Sequence, residues 1–141
     1  MVARRTLYAI GYEQRTVAVL VADLRAKRVT RVIDVRELPL SRRRGFSKTP
    51  LRDALAHEGI ECIHLPGAGN AYRALRHEVK ACLAAYAAHL ESQPEVLELV
   101  LAAADRARTA LLCVEHDPRS CHRSILIAQL QRAVDLAAVN L

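Results

Sequence analysis

Short apolar runs alternate along the chain with longer stretches in which apolar residues recur every three to four positions. The runs are "TLYAIGY" (6–12), "RVIDVR" (31–36), "IECIHLP" (60–66) and "TALLCVE" (109–115). Within them apolar residues are continuous rather than alternating, as strands buried on both faces require. Between them the period is helical. Val17, Leu20, Val21 and Leu24 share one face of 17–28, and Leu75, Val79, Cys82, Leu83, Tyr86 and Leu90 form a second stripe. "VLELVLAAADRA" (96–107) and "CHRSILIAQLQRA" (121–133) read as two further helices. "LRDALAHE" is predicted to be helical, with Thr49 as its cap, Pro50 at its first position and Gly59 just past its end. "VDLAAVNL" (134–141) fits either a last strand or a frayed end.

Strands alternating with helices predict an α/β fold: a single three-layer domain over 1–141, a mainly parallel sheet with helices on both faces. In such sheets ligands sit beyond the carboxyl ends of the strands. That rule gathers four groups on one rim: Tyr12 and Glu13; Asp34 and Arg36; His64 with the loop after it; Cys113, Glu115 and their neighbours.

Composition narrows the function classes. With one Phe and no Trp, an aromatic platform for stacking bases is not expected. The net charge of +6 is unevenly spread. Residues 1–60 hold 13 Lys/Arg against 6 Asp/Glu, whereas 61–141 hold 8 against 9. A positive field from the first part favours phosphates, acidic substrates or nucleic acid over a plain solvated surface only if the cations face a site. No secretory signal and no long apolar span is read, so a cytoplasmic protein with reduced thiols and no membrane partner is expected.

The densest chemistry is "LLCVEHDPRSCHRS" (111–124). A buried strand delivers Cys113 to the rim, and a helix begins near Cys121. Free N–H groups in its first turn, with Arg123 and His122 alongside, suit a phosphate or carboxylate. The bland alternative is that Arg123 pairs with Asp117 or Glu115 and pins the loop. Cys113, five residues, then Arg119 and Ser120 has the spacing of a phosphatase or sulfurtransferase loop, although Pro118 removes one N–H and no Gly is present. Cys113, His116, Cys121 and His122 are zinc-type donors. Their spacing is not that of a zinc motif, and adjacent Cys121 and His122 would need opposed side-chain directions, so no metal is expected. Glu115 at the end of a buried strand is a general base or nucleophile, unless Arg36 or Arg123 pairs with it. The loop 36–52 carries Arg36, Arg42, Arg43, Arg44, Lys48 and Arg52 against few acids, with Gly45 to turn it and Phe46 to anchor it. It is either a phosphate clamp or a solvated charge run.

"AIGYEQRT", "VIDVRELPLSRRRGFSK", "GIECIHLPGAGN" and "LLCVEHDPRSCHRS", in this order and spacing, resemble the domain-of-unknown-function family numbered 488 over nearly the whole chain. The resemblance implies a small α/β bacterial or archaeal protein of undetermined biochemistry. It implies recurrent positions at Gly11, Tyr12, Thr16, Asp34, Arg36, Pro39, Ser41, Arg42, Gly45, Phe46, His64, Leu65, Pro66, Cys113, Glu115, Cys121, His122 and Arg123. Arg119 is outside that pattern, and "GAGNAYR" stands where an "LGG"-like stretch is usual. The order of "VIDVRE", "HLPGAGN" and the strand ending in Cys113 also resembles that of rhodaneses, with wider spacing.

The expectation is therefore an enzyme handling a phosphorylated small molecule, a nucleotide or nucleic acid. Arg36, Arg42, Lys48, Cys121 and Arg123 form the anion site. Glu115 or Asp34 is base or nucleophile, Tyr12 a proton donor, and His122 and Cys113 complete the catalytic set. One alternative is a non-catalytic nucleic-acid-binding module using the basic loop. Another is a sulfur- or phosphoryl-transfer enzyme with Cys113 as nucleophile. The residues name no cofactor, and the Ala-rich helices at 81–107 suit packing inside the chain or across a homodimer.

Overall fold

The computed structural model describes residues 5–72, 78–117 and 121–141. Its strands are β1 (Arg5–Gly11), β2 (Arg31–Asp34), β3 (Glu61–His64), β4 (Thr109–Cys113) and β5 (Leu136–Asn140). They form one all-parallel sheet in the order β3-β2-β4-β1-β5. The helices are α1 (Val17–Ala26), α2 (Lys48–His57), α3 (Val79–Ser92), α4 (Pro94–Ala103) and α5 (His122–Ala133). A 3-10 turn spans Pro66–Ala68. The sequence-derived α/β class with helices on both faces is the observed one.

The continuous apolar runs serve two cores. Tyr8, Ile10, Val32 and Leu112 pack with Leu20 and Leu24 of α1 and Leu51 and Leu55 of α2. Their strand neighbours Leu7, Ala9, Ile33 and Leu111 pack with Tyr86, Val100, Leu126 and Leu130 of α3, α4 and α5. Each strand thus feeds alternate side chains to opposite layers. The register sets Gly11 beside Cys113, and Asp34 beside both Leu112 and His64, so the strands end level at one edge.

The differences from the sequence reading lie at boundaries. Val35, Arg36, Leu65, Pro66, Val114 and Glu115 are outside the ladder and form the rim loops. Helix α2 starts at Lys48 with Ser47 at the N-cap position, and Pro50 falls inside its first turn. First-turn N–H groups have no intrahelical acceptor, so proline costs nothing there. Thr16 is the side-chain cap, accepting from the Val19 N–H at 3.2 Å at the start of α1. The segment read as strand or frayed end is a strand, paired with β1. Leu75 of the second stripe lies outside the described residues. Among the described residues no helix is long and apolar enough to cross a membrane.

Candidate functional site at the carboxyl rim

Neighbouring strands β2 and β4 are followed by helices on opposite faces, α2 and α5. The chain parts above such a switch point and leaves a crevice. A cleft of about 130 Å³ lies there, lined by Arg36, Glu37, Asn70, Cys113, Glu115 and His122, with Val79, Cys82 and Leu83 of α3 as an apolar wall. Two glycines permit it. A Cβ on Gly11 would overlap the Glu115 carbonyl, and one on Gly69 would overlap the Glu37 backbone. Tyr86 donates to the Ala68 carbonyl at 2.7 Å and fixes the 3-10 turn beneath.

Arg36 lines the cleft but is largely committed to the protein. Its Nε and Nη2 donate to the two Asp34 oxygens at 2.8 and 2.7 Å, and its Nη1 donates to the Phe46 carbonyl. Both members are buried. Hydrogen bonding to Asp34 and its charge raise the Arg36 pKa, although burial, the largest single effect, works the other way. Below the guanidinium, 5.4 Å away, lies the Tyr12 ring, which stacks on Phe46 at 4.4 Å. Asp34 and Tyr12 therefore sit under the cleft and do not line it. His64 Nε2 donates to the Arg36 carbonyl at 2.7 Å and steadies the same loop.

The opening of α5 differs most from expectation. Cys121 is its N-cap, and the Arg123 N–H turns to Cys121 Sγ at 3.5 Å. The Arg123 side chain is fully buried. Nη1 donates to Cys113 Sγ at 2.9 Å and to the Glu115 carbonyl, and Nη2 to the His116 carbonyl at 3.1 Å. A sulfur cap and two carbonyls fill the anion seat expected here. Arg123 pins the loop, as the bland alternative had it, but through backbone oxygens rather than carboxylates. Burial lowers its pKa, with Glu115 opposing, and its Nε has no partner among the described residues. Cys113 and Cys121, expected as free thiols, have their sulfurs in contact as a disulfide, because the end of β4 and the start of α5 converge here.

Glu115 has no ion pair among the described residues, and Arg123 takes its carbonyl only. Burial pushes its carboxyl above the usual range, while a bond to its own backbone and the Arg123 charge pull the other way. Its Oε2 lies 3.6 Å from Cys113 Sγ. His122 donates from Nε2 to the Val35 carbonyl at 2.9 Å, packs edge-on against Tyr86, and is pushed down to about 4, chiefly by burial. The ligating atoms of Cys113, Glu115, Cys121 and His122 all lie within 4.8 Å of one another. That is a soft, zinc-type donor set, with Glu115 in the place the sequence reading gave to His116. His116 points away and is exposed, 3.2 Å from Arg15. Side-chain directions at Cys121 and His122 are compatible because Cys121 is extended and His122 opens the helix.

The model of the family described as domain of unknown function DUF488 matches residues 16–130. The chain belongs to the DUF488 family. No curated protein and no solved structure matches it. In this DUF488 domain the matched span contains Arg36, Cys113, Glu115, Cys121, His122 and Arg123, while Gly11 and Tyr12 precede it.

The basic loop of the DUF488 chain splits in two. Arg43 is exposed but engaged, donating to the carbonyls of Tyr12 at 2.8 Å and of Arg15. Arg42, Arg44 and Lys48 are exposed and outside the cleft lining. Pro118, Arg119 and Ser120 lie outside the described residues, and with them the phosphatase-type spacing. Sequence reasoning missed Asn70, Cys82 and Leu83 as cleft residues. Helical periodicity marks Cys82 and Leu83 as core, and only the three-dimensional packing shows that the same stripe walls a cleft.

Proposed function

We propose that this DUF488 domain is an enzyme whose chemistry takes place in the rim cleft on a phosphorylated substrate, a nucleotide or nucleic acid, with Glu115 as the acid–base group. The observation that carries this is a carboxyl group with no ion-pair partner among the described residues, half-buried in a cleft beside a neutral imidazole and a sulfur. Structural carboxylates at this depth are normally paired; Asp34 on the same rim is. Recruitment falls to the exposed cations Arg42, Arg44 and Lys48, since Arg36 and Arg123 are engaged.

A panel of nucleoside phosphates and short DNA and RNA oligonucleotides, assayed for turnover, tests the reading. Glu115→Gln is expected to lower kcat by about 10²–10⁴-fold, the usual reach of a positioned acid–base group, with binding retained. Arg42→Ala with Lys48→Ala is expected to weaken binding with kcat unchanged. Oligonucleotide binding with steep salt dependence, no turnover and no response to Glu115→Gln makes the domain a binding module instead. Turnover abolished by thiol alkylation but kept in Glu115→Gln assigns the chemistry to Cys113.

A further inference from the structure

We infer that Cys113, Cys121 and His122 form a binding site for a divalent zinc-type cation, with Glu115 facing an open fourth position on the cleft side. This rests on the reading of the cleft as catalytic and names the ion that would work there. Two thiolates and one imidazole are the donors such a cation selects. Donor atoms sharing one zinc stand about 3.3–3.8 Å apart at bond lengths of about 2.0–2.3 Å. The group here lies within 4.8 Å, and to meet that separation the two sulfurs, now in contact, have to be reduced and move apart. The Cα atoms of Cys113 and Cys121 are 7.7 Å apart. That is wider than the about 4.4–6.8 Å a disulfide ordinarily spans, so once a dithiol reductant has supplied two electrons and opened the pair, the sulfurs have room to part around an ion.

The surroundings fit as well. The Val35 carbonyl takes the Nε2 hydrogen of His122, as supporting carbonyls do for ligating histidines, so the Nδ1 lone pair faces Cys121 Sγ at 3.9 Å. Arg123 is fully buried, donates to Cys113 Sγ, and keeps one Nε without a partner among the described residues. Burial of this guanidinium is opposed by the charges of Glu115 and Asp117, and thiolates at the two sulfurs would add to them at hydrogen-bond distance. Two thiolates and a divalent cation carry no net charge, so an ion here leaves the balance between Arg123 and Glu115 undisturbed. Cys113, Glu115 and His122 line the cleft, whereas Cys121 lies behind. The position left open therefore faces the substrate side, where water binds, and Glu115 is placed to accept its proton, leaving hydroxide on the ion.

The test uses the full chain, reduced and freed of reductant, titrated with cobalt(II) and then zinc. The expected result is one cobalt per chain, with tetrahedral ligand-field bands and a thiolate-to-cobalt band that one equivalent of zinc bleaches. Cys121→Ser and His122→Gln should each weaken uptake by more than the about 10–100-fold typical of a lost supporting contact. Cys62→Ser and Glu115→Ala should keep one ion per chain. The last two variants keep the test decisive if the first two fold poorly. No uptake by the reduced chain, thiolate bands unchanged in Cys121→Ser, or an ion lost in Glu115→Ala would overturn the assignment. Metal uptake without turnover of any phosphorylated substrate would leave the site standing and sink the enzymatic reading; turnover by a reduced chain that takes up no metal would do the reverse.

Discussion

Two buried arginines at the rim meet the cost of burial in different ways. Arg36 is neutralised by Asp34 in a bidentate pair, and the pair holds the loop after β2 against Phe46. Removing one member leaves a buried charge uncompensated, which typically costs about 3–5 kcal/mol. Asp34→Ala is expected to lose about that much stability in urea unfolding. Asp34→Ala with Arg36→Met should recover part of it; equal loss in single and double variants would mean the charge is not the cause. Cys62, beside this pair, gives a pH signature. Burial, with the Asp34 charge, pushes its thiol up to about 11, while an unfolded thiol ionises near about 8.5. Its folded pKa is raised, so its contribution is full below about 8.5 and is lost as pH rises toward 11. Burial raises the Tyr86 phenol too, further into alkali. Stability should fall as pH rises from about 8.5 toward about 11, and fall less in Cys62→Val. An identical fall in that variant would contradict the assignment. At this scale the sequence made the place of Glu115 legible, because a charged residue at the end of an apolar run has to sit at a strand's rim, and that of His122, because it opens the helix that follows the same strand. Which partner each arginine takes was not legible, since it depends on sub-ångström competition between carboxylates, carbonyls and sulfur.

Among the elements, the ends of β1 and β4 matter most. Gly11 pairs in register with Cys113 and lets the Glu115 carbonyl lie where a Cβ would be. Gly11→Ala must push the 113–116 loop away, because the obstructing atom is backbone. The expected cost is at least the about 1–3 kcal/mol of core overpacking, and amide exchange should quicken at 113–116 before it does in α1 or α2. Uniform quickening over the whole sheet would instead indicate global loss. Strands β1 to β4 were readable from continuous apolar runs, since both faces of a covered parallel sheet are dry, while the β5 segment reads equally as a strand or a frayed end. Their ends were not, because Val35, Leu65 and Val114 are as apolar as the strand residues yet belong to the loops that build the cleft. Thr49 followed by Pro50 looked like a helix start. Ser47 took the N-cap position, with its hydroxyl tied to the Ser41 backbone, 3.1 Å from the Ser41 N–H.

At the level of the whole molecule, strand order decides where the cleft lies. With β4 between β1 and β2, and helices leaving to opposite faces, segments from residues 36, 70, 115 and 122 meet in one cleft. The sequence reading placed that meeting correctly at the carboxyl rim. Its chemical content was partly misjudged: the helix start thought to hold an anion is capped by Cys121, and the cations left exposed lie on the basic loop beyond the cleft. The two regions give the central claim a direct test. In an isotope-labelled sample titrated with nucleoside phosphates and a short oligonucleotide, backbone amide shifts report which residues a ligand reaches. The expected result is that the amides of Arg36, Asn70, Glu115 and His122 shift together, saturating at the same ligand concentration as those of Arg42 and Lys48. Shifts confined to residues 42–48, with the cleft amides unmoved at saturation, would contradict the claim.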